Sequence, residues 1–170
     1  MIRLSILFLS LLLNGCAVRW VLLEGNSEPA IGITSLSAKV GLDLREVDTV
    51  QLAERESRVW RFPMQAQLVE RTLRARYRET QLQFEIMTPH ASMASPKVDL
   101  LLRVAGGIRV LPFTCVGAFK FEVTQSNGKP MELIVEKTRR FGVATEIKDT
   151  CEGVMQEVIA ELDQFFVEES

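Results

Sequence analysis

A lone histidine, three cysteines and a group of arginines carry most of the reactive or ligand-gripping chemistry in this sequence. His90 has no second histidine to share a metal with, and a Ser–His pair would have no choice of base. In a loop with Pro89, Pro96 and two serines it reads as a solvent-exposed residue. The sequence has no Gly-x-Ser-x-Gly, phosphate-loop, Cys-x-x-Cys or His-Glu-x-x-His motif. Its 22 acids follow strand and helix surface patterns, and no pair is set apart, although carboxylates distant in sequence can converge in space. The expectation is a protein that is not an enzyme, with no metal and no cofactor. Arg71, Arg74 and Arg78 fall at i, i+3 and i+7 and share one helix face. Guanidinium groups grip phosphate bidentately, so the stripe could contact an anionic lipid or an acidic partner. The plainer alternative is a solvated face on which Glu70 and Arg74 pair at i,i+4.

The N-terminus carries the sharpest signal. A short basic start with Arg3, an apolar run over 4–13 and Gly15 before a cut describe a secretory signal peptide. The run is about half the length that spans a bilayer as a helix. Leu13-Asn14-Gly15-Cys16 resembles the lipobox of bacterial lipoproteins, with Asn14 standing where Ala or Ser is usual. The resemblance implies cleavage before Cys16, a thioether-linked diacylglycerol on its sulfur and a fatty acid, palmitate for instance, on its new amino group. Ala17, rather than Asp, follows the cysteine. By the same resemblance this favours the outer membrane, facing the periplasm, over the inner membrane.

Removal of residues 1–15 leaves 155 residues, enough for one domain with a substantial core. The mature chain has 19 basic and 22 acidic side chains, net −3, and no reason to bind nucleic acid non-specifically. No later apolar stretch approaches membrane-spanning length, so lipid on Cys16 would be the anchor. Cys115 and Cys151 then remain, in an oxidising compartment. They form either two buried thiols or, as expected here, a disulfide contributing about 3–4 kcal/mol by closing the intervening loop.

The elements follow from periodicity. Residues 16–30 read as a lipidated N-terminus and polar tether, and 31–170 as a single α/β periplasmic domain. Val18, Trp20, Val21, Leu22 and Leu23 interrupt the tether, as a first strand or as Trp20 resting at the lipid interface. Weak alternation over 31–46 suggests a strand or two, and 47–52 another. Pro63 opens a helix over 64–80 that buries Leu68, Val69, Thr72, Leu73 and Tyr77. Strands follow at 81–87 and from 98, the latter interrupted at Gly106-Gly107 by a bulge or turn, after which 108–111 either continues that strand or begins a short new one. Residues 114–125 and 131–137 read as a hairpin around a type I′ turn at Asn127-Gly128. Asp149, with Glu152 as capping box, starts the last helix. Its apolar stripe is Val154, Met155, Val158, Leu162, Phe165 and Phe166, and its outer face (Glu157, Glu161, Asp163 and Glu168) has no base. The fold class is α+β: a mainly antiparallel or mixed sheet with two amphipathic helices packed on one face.

Behind Leu13-Asn14-Gly15-Cys16, the element order from Val47 to Phe166 looks like the small α/β lipoproteins of Gram-negative envelopes. Two such families are the lipopolysaccharide-assembly lipoprotein of the outer-membrane translocon and the auxiliary lipoprotein of ABC-type lipid transporters. The resemblance lies in element order, so no site residue beyond Cys16 carries over. It implies a non-catalytic accessory or scaffolding lipoprotein with a protein partner in the envelope. The alternative is a lipid- or lipopolysaccharide-binding transport component. An acyl-sized apolar pocket would mark the alternative and a solid core the first.

Overall fold

Alternation of apolar and polar side chains builds the sheet, and helical periodicity supplies its cover. The computed structural model describes residues 17–20, 22–31, 33, 37–47, 58–61, 65–87, 98–125, 128–143 and 146–167. The expected leader, Cys16, His90 and residues 48–52 of an expected strand lie outside them. The strands are β1 (Ala17–Trp20), β2 (Ser37–Val47), β3 (Arg58–Arg61), β4 (Gln81–Ile86), β5 (Leu100–Leu111), β6 (Thr114–Gln125) and β7 (Met131–Arg140). The helices are α1 (Gln65–Arg76), α2 (Ile147–Ala160) and a short α3 (Asp163–Val167).

Five strands form one sheet in the order β4-β2-β5-β6-β7. It is mixed: β2 runs parallel to β4 and β5, whereas β5, β6 and β7 form an antiparallel meander. The parallel pairing of β2 with β4 follows from α1, because parallel neighbours need a crossover of helical length. β1 and β3 pair in a separate parallel ribbon, with Ala17 opposite Arg58 and Trp20 opposite Arg61. The resulting fold is α+β, a five-stranded mixed sheet with two main helices.

Register puts the apolar residues of neighbouring strands side by side. Leu102 lies opposite Val123 and Val104 opposite Phe121, and all four are buried. α1 contributes Leu68, Val69, Thr72 and Leu73 to the same core, and Tyr77 follows at its end. α2 contributes Val154, Met155, Val158 and Ile159. α1 contacts β2 and α2, and α2 lies against β6 and β7. The close approach of α2 depends on Gly117, where an added Cβ would stand 2.7 Å from Val154 Cγ1.

Three local points decide or correct the expectations. At Gly106-Gly107 the continuing strand is the alternative realised: β5 stays paired with β6 from Leu100 to Leu111. Gly106 instead takes φ 103 inside the strand, where a Cβ would fall 2.2 Å from the Ala118 carbonyl oxygen, so the kink is absorbed without breaking the ladder. Asn127 of the expected type I′ turn lies outside the described residues; Gly128 N donates to the Gln125 carbonyl at 3.3 Å. α2 begins at Ile147, two residues before Asp149. Glu146 stands at its N-cap and turns its carboxylate back to accept from Gly142 N at 2.8 Å. Finally, the last helix breaks after Ala160 into a turn and α3, leaving Phe166 buried but Phe165 only half-buried.

Part of the stretch read as a tether is built into the body. Residues 22–30 follow no regular structure, yet Leu23 and Ser27 are buried.

Candidate functional site

The arginines of α1 and its C-terminal turn hold that irregular segment. Arg71 donates from Nη2 to the Leu23 carbonyl at 3.1 Å, and Arg78 donates from Nη1 to the Ser27 carbonyl at 3.2 Å. Arg76 donates to the Glu28 carbonyl at 3.4 Å, and its own carbonyl accepts from Ala30 N at 2.8 Å. On the other side, α2 supplies Glu152, whose carboxylate accepts from Glu24 N at 2.7 Å, and Lys148, which pairs with the Glu24 carboxylate. Lys148 and Asn26 both donate to Glu24, and this holds its carboxyl below the usual range. A segment without regular structure has unpaired backbone groups, and these charged side chains satisfy them. Residues 22–30 are therefore a strap across α1 and α2.

The strap has a direction. Glu24 meets the first two turns of α2, whereas Glu28 and Ala30 meet the last turn of α1. The chain therefore enters the body beside the N-terminal end of α2 and the middle of α1, and runs toward the C-terminal end of α1.

At the far end of the strap, Asp163, the first residue of α3, joins that helix to the end of α1. Its carboxylate accepts from Arg76 Nε at 2.8 Å and from the Tyr77 hydroxyl at 2.9 Å. The Asp163 bond lifts the already high Arg76 pKa. Burial, and then the Asp163 charge, push the Tyr77 phenol far above its ordinary value. The Tyr77 ring is 2% exposed and packs edge-on against Phe166, with centroids 5.1 Å apart.

The arginine stripe is thus divided among several jobs. Arg71 and Arg78 hold the strap; Arg74 donates to Glu70 at 2.9 Å, the expected i,i+4 pair, and to the Phe84 carbonyl at 2.7 Å. The three guanidiniums do not converge on a common cradle. Sequence reasoning left Arg76 off the candidate stripe and counted it only among the cations of a helix expected to face the acidic last helix; it makes the most bonds of the α1 arginines. Its acid partner is 87 residues away, and no local pattern links the two. The outer acids of the last helix do find bases, on other elements. Glu157 accepts from Arg139 Nε at 2.9 Å, Glu161 pairs with Lys137, and Asp163 pairs with Arg76.

Cys115 on β6 and Cys151 on α2 are joined as a disulfide, with Cα atoms 5.5 Å apart. The bond ties the start of β6 to the second turn of α2. A charged cleft lies on the sheet, lined by Asp43, Arg45, Glu46, Arg103, Lys120 and Glu122. Its charges are mutually matched: Asp43 accepts from Arg45 Nε at 2.7 Å, and Glu122 from Arg103 at 3.0 Å. The Arg45 bond holds the Asp43 carboxyl below its usual range, although the side chain is largely out of solvent. Among the described residues no group of three His, Cys, Asp or Glu side chains is placed to hold a metal ion. No helix there is long and apolar enough to cross a membrane.

These features define an α+β domain on a mixed five-stranded sheet, with an irregular N-terminal strap clasped by its two main helices. No family model matches the sequence, and no curated protein does. Solved structures do share the architecture. A Xanthomonas campestris protein of the DUF330 family superposes with a TM-score of 0.58 at 9% identity, over 88% of this chain and 95% of that one. The PelC dodecamer from Paraburkholderia phytofirmans gives a TM-score of 0.49 at 16% identity, over 81% and 95%. A minor lipoprotein from Acinetobacter baumannii gives 0.43 at 12% identity, over 79% and 93%. The first likeness shows the fold; the other two are too loose to argue from.

Proposed function

We propose that this protein is a lipid-anchored, periplasm-facing lipoprotein of the outer membrane that acts as a non-catalytic scaffold in an envelope assembly. The observation that carries the reading is the strap. Lipid on Cys16 tethers the chain by its N-terminus, and a domain used as a scaffold gains from leaving that tether at a fixed place. Arg71, Arg76, Arg78, Lys148 and Glu152 supply that fixed exit. In this reading both helices cover one face of the sheet. The space between them and the strands is filled by Leu102, Phe121, Met155 and Phe166, which favours a scaffold over a carrier of acyl chains.

The test begins at Cys16. With a fatty-acid probe in growing cells, the wild-type chain is expected to be labelled and to fractionate with outer membranes. Cys16→Ser is expected to lose the label and to keep its leader. Equal labelling of both would remove the anchor from the proposal. Crosslinking of the labelled chain in cells then identifies the assembly.

A further inference from the structure

The β5–β6 hairpin turns through Pro112-Phe113, with Leu111 paired to Thr114. Phe113 takes φ 58, a left-handed conformation that glycine adopts freely and that costs an aromatic residue strain. Its ring gains little from the body, because the residue is 64% exposed. Leu111 and Val143 beside it are also exposed, and Phe141 N donates to the Phe113 carbonyl at 3.0 Å, which ties the end of β7 to this turn. A strained position that displays a large apolar side chain to solvent calls for something outside the chain to cover it.

The charges around the tip say what that is. Arg109 and Arg140 are exposed and form no ion pair among the described residues. Arg140 lies opposite Thr114, next to the turn. The acids at this end are already engaged: Glu146 holds backbone N–H groups of Gly142 and Val143, and Glu157 holds Arg139. The tip is thus apolar at its point and cationic at its shoulders, the pattern that suits an anionic lipid surface.

The path of the chain places the same end toward a membrane. Cys115, two residues after Phe113, is bonded to Cys151 in α2. Its neighbour Glu152 and Lys148 hold Glu24, at the start of the strap. Gln65, the first residue of α1, donates to the Ile108 carbonyl at 3.4 Å and accepts from Ile108 N at 2.9 Å, a few residues before the turn. The chain therefore enters the body at the hairpin end. Cys16 lies six residues before Leu22, a span of at most about 20 Å.

We infer that the Pro112-Phe113 hairpin tip is a second membrane contact, which seats Phe113, Leu111 and Val143 at the headgroup boundary of an anionic phospholipid bilayer with Arg109 and Arg140 on its phosphates. This rests on the lipoprotein reading above. The lipid on Cys16 holds the chain at the membrane, and the tip sets its orientation.

The experiment uses the full lipidated chain in vesicles of phosphatidylethanolamine and phosphatidylglycerol with brominated acyl chains. Phe113→Trp is compared with Ile134→Trp, a control at a 77% exposed position in β7. The parent's own tryptophan emission is subtracted. The added Phe113→Trp emission is expected to fall by about half, since a side chain at the headgroup–acyl boundary lies within reach of the bromines. The Ile134→Trp emission should not change. Arg109→Gln with Arg140→Gln, or replacement of phosphatidylglycerol by phosphatidylcholine, should weaken the quenching at position 113. A chain that carries its fatty-acid label and floats with the vesicles, yet shows no quenching at 113, overturns the tip contact and leaves the anchor standing. A chain that takes no label and does not float overturns both. Emission at 113 that shifts to the blue with rising protein concentration, without quenching, assigns the tip to a second copy and also overturns the contact.

Discussion

Tyr77 shows how much one side chain can depend on residues distant in sequence. It is the single tyrosine of the chain, and helical spacing alone marks it as buried. What the spacing leaves out is the Asp163 carboxylate at its hydroxyl and the Arg76 guanidinium on the same acid. Burial and the Asp163 charge both raise the phenol's pKa above its ordinary 10.0. A raised folded-state value favours the neutral form in the native protein. The stabilisation is therefore complete below pH 10 and is lost as pH rises toward the folded value. The expected result is that tyrosinate absorbance does not appear near pH 10 in the native protein but appears together with unfolding at higher pH. Tyr77→Phe should remove the part of the alkaline destabilisation due to this group. Gradual tyrosinate absorbance centred near pH 10, with the fold intact, would mean that Tyr77 is open to solvent.

Elements were legible in the sequence where a period repeats, and illegible where a single contact decides. The alternation of β6 and the buried stripe of α1 are both present as read, because every second or every third-to-fourth residue repeats the signal. The parallel pairing of β2 with β4 and β5 was not legible, since pairing partners leave no trace in either strand alone. Nor was the start of α2: the capping-box pattern at Asp149 and Glu152 lies inside a helix that begins at Ile147, after Glu146 at the N-cap position. The break after Ala160 also hides in an unbroken apolar stripe. It rotates Phe165 partly outward and drives Phe166 inward onto Tyr77. Two adjacent phenylalanines should therefore differ in thermal or denaturant unfolding. Phe166→Ala should cost about 3–5 kcal/mol, the usual range for a buried ring, and Phe165→Ala clearly less. Equal losses would mean that the stripe continues through one straight helix.

For the whole molecule, the strap is the feature on which the proposed tether depends, and it was the part least visible in the sequence. Glu24-Gly25-Asn26-Ser27-Glu28-Pro29 has the composition of a spacer, and composition sets only what a segment does when nothing grips it. Here the grip comes from α1, through bonds to backbone carbonyls that any residue type would offer, and from α2, through the Glu24 N–H and carboxylate. The Arg76–Asp163 pair is partly buried, at 13% and 23% side-chain exposure; it joins α1 to α3, and Arg76 also holds the strap's far end. Losing one member of a buried pair strands the other, at a cost that reaches about 3–5 kcal/mol when burial is complete and is smaller here. Arg76→Ala should therefore lower stability and also loosen residues 28–30, whereas Arg74→Ala removes bonds only to Glu70 and Phe84 and should leave the strap closed. Elastase, which cuts after small residues, reads the difference. Cleavage after Ala30 should be slow in the wild-type chain and in Arg74→Ala, and rapid in Arg76→Ala at temperatures where the core is still folded. If Arg76→Ala resists cleavage as well as the wild type, the strap is held without its α1 clasp, and the fixed exit of the anchor must be sought in the Glu24–Lys148 and Glu152 contacts alone.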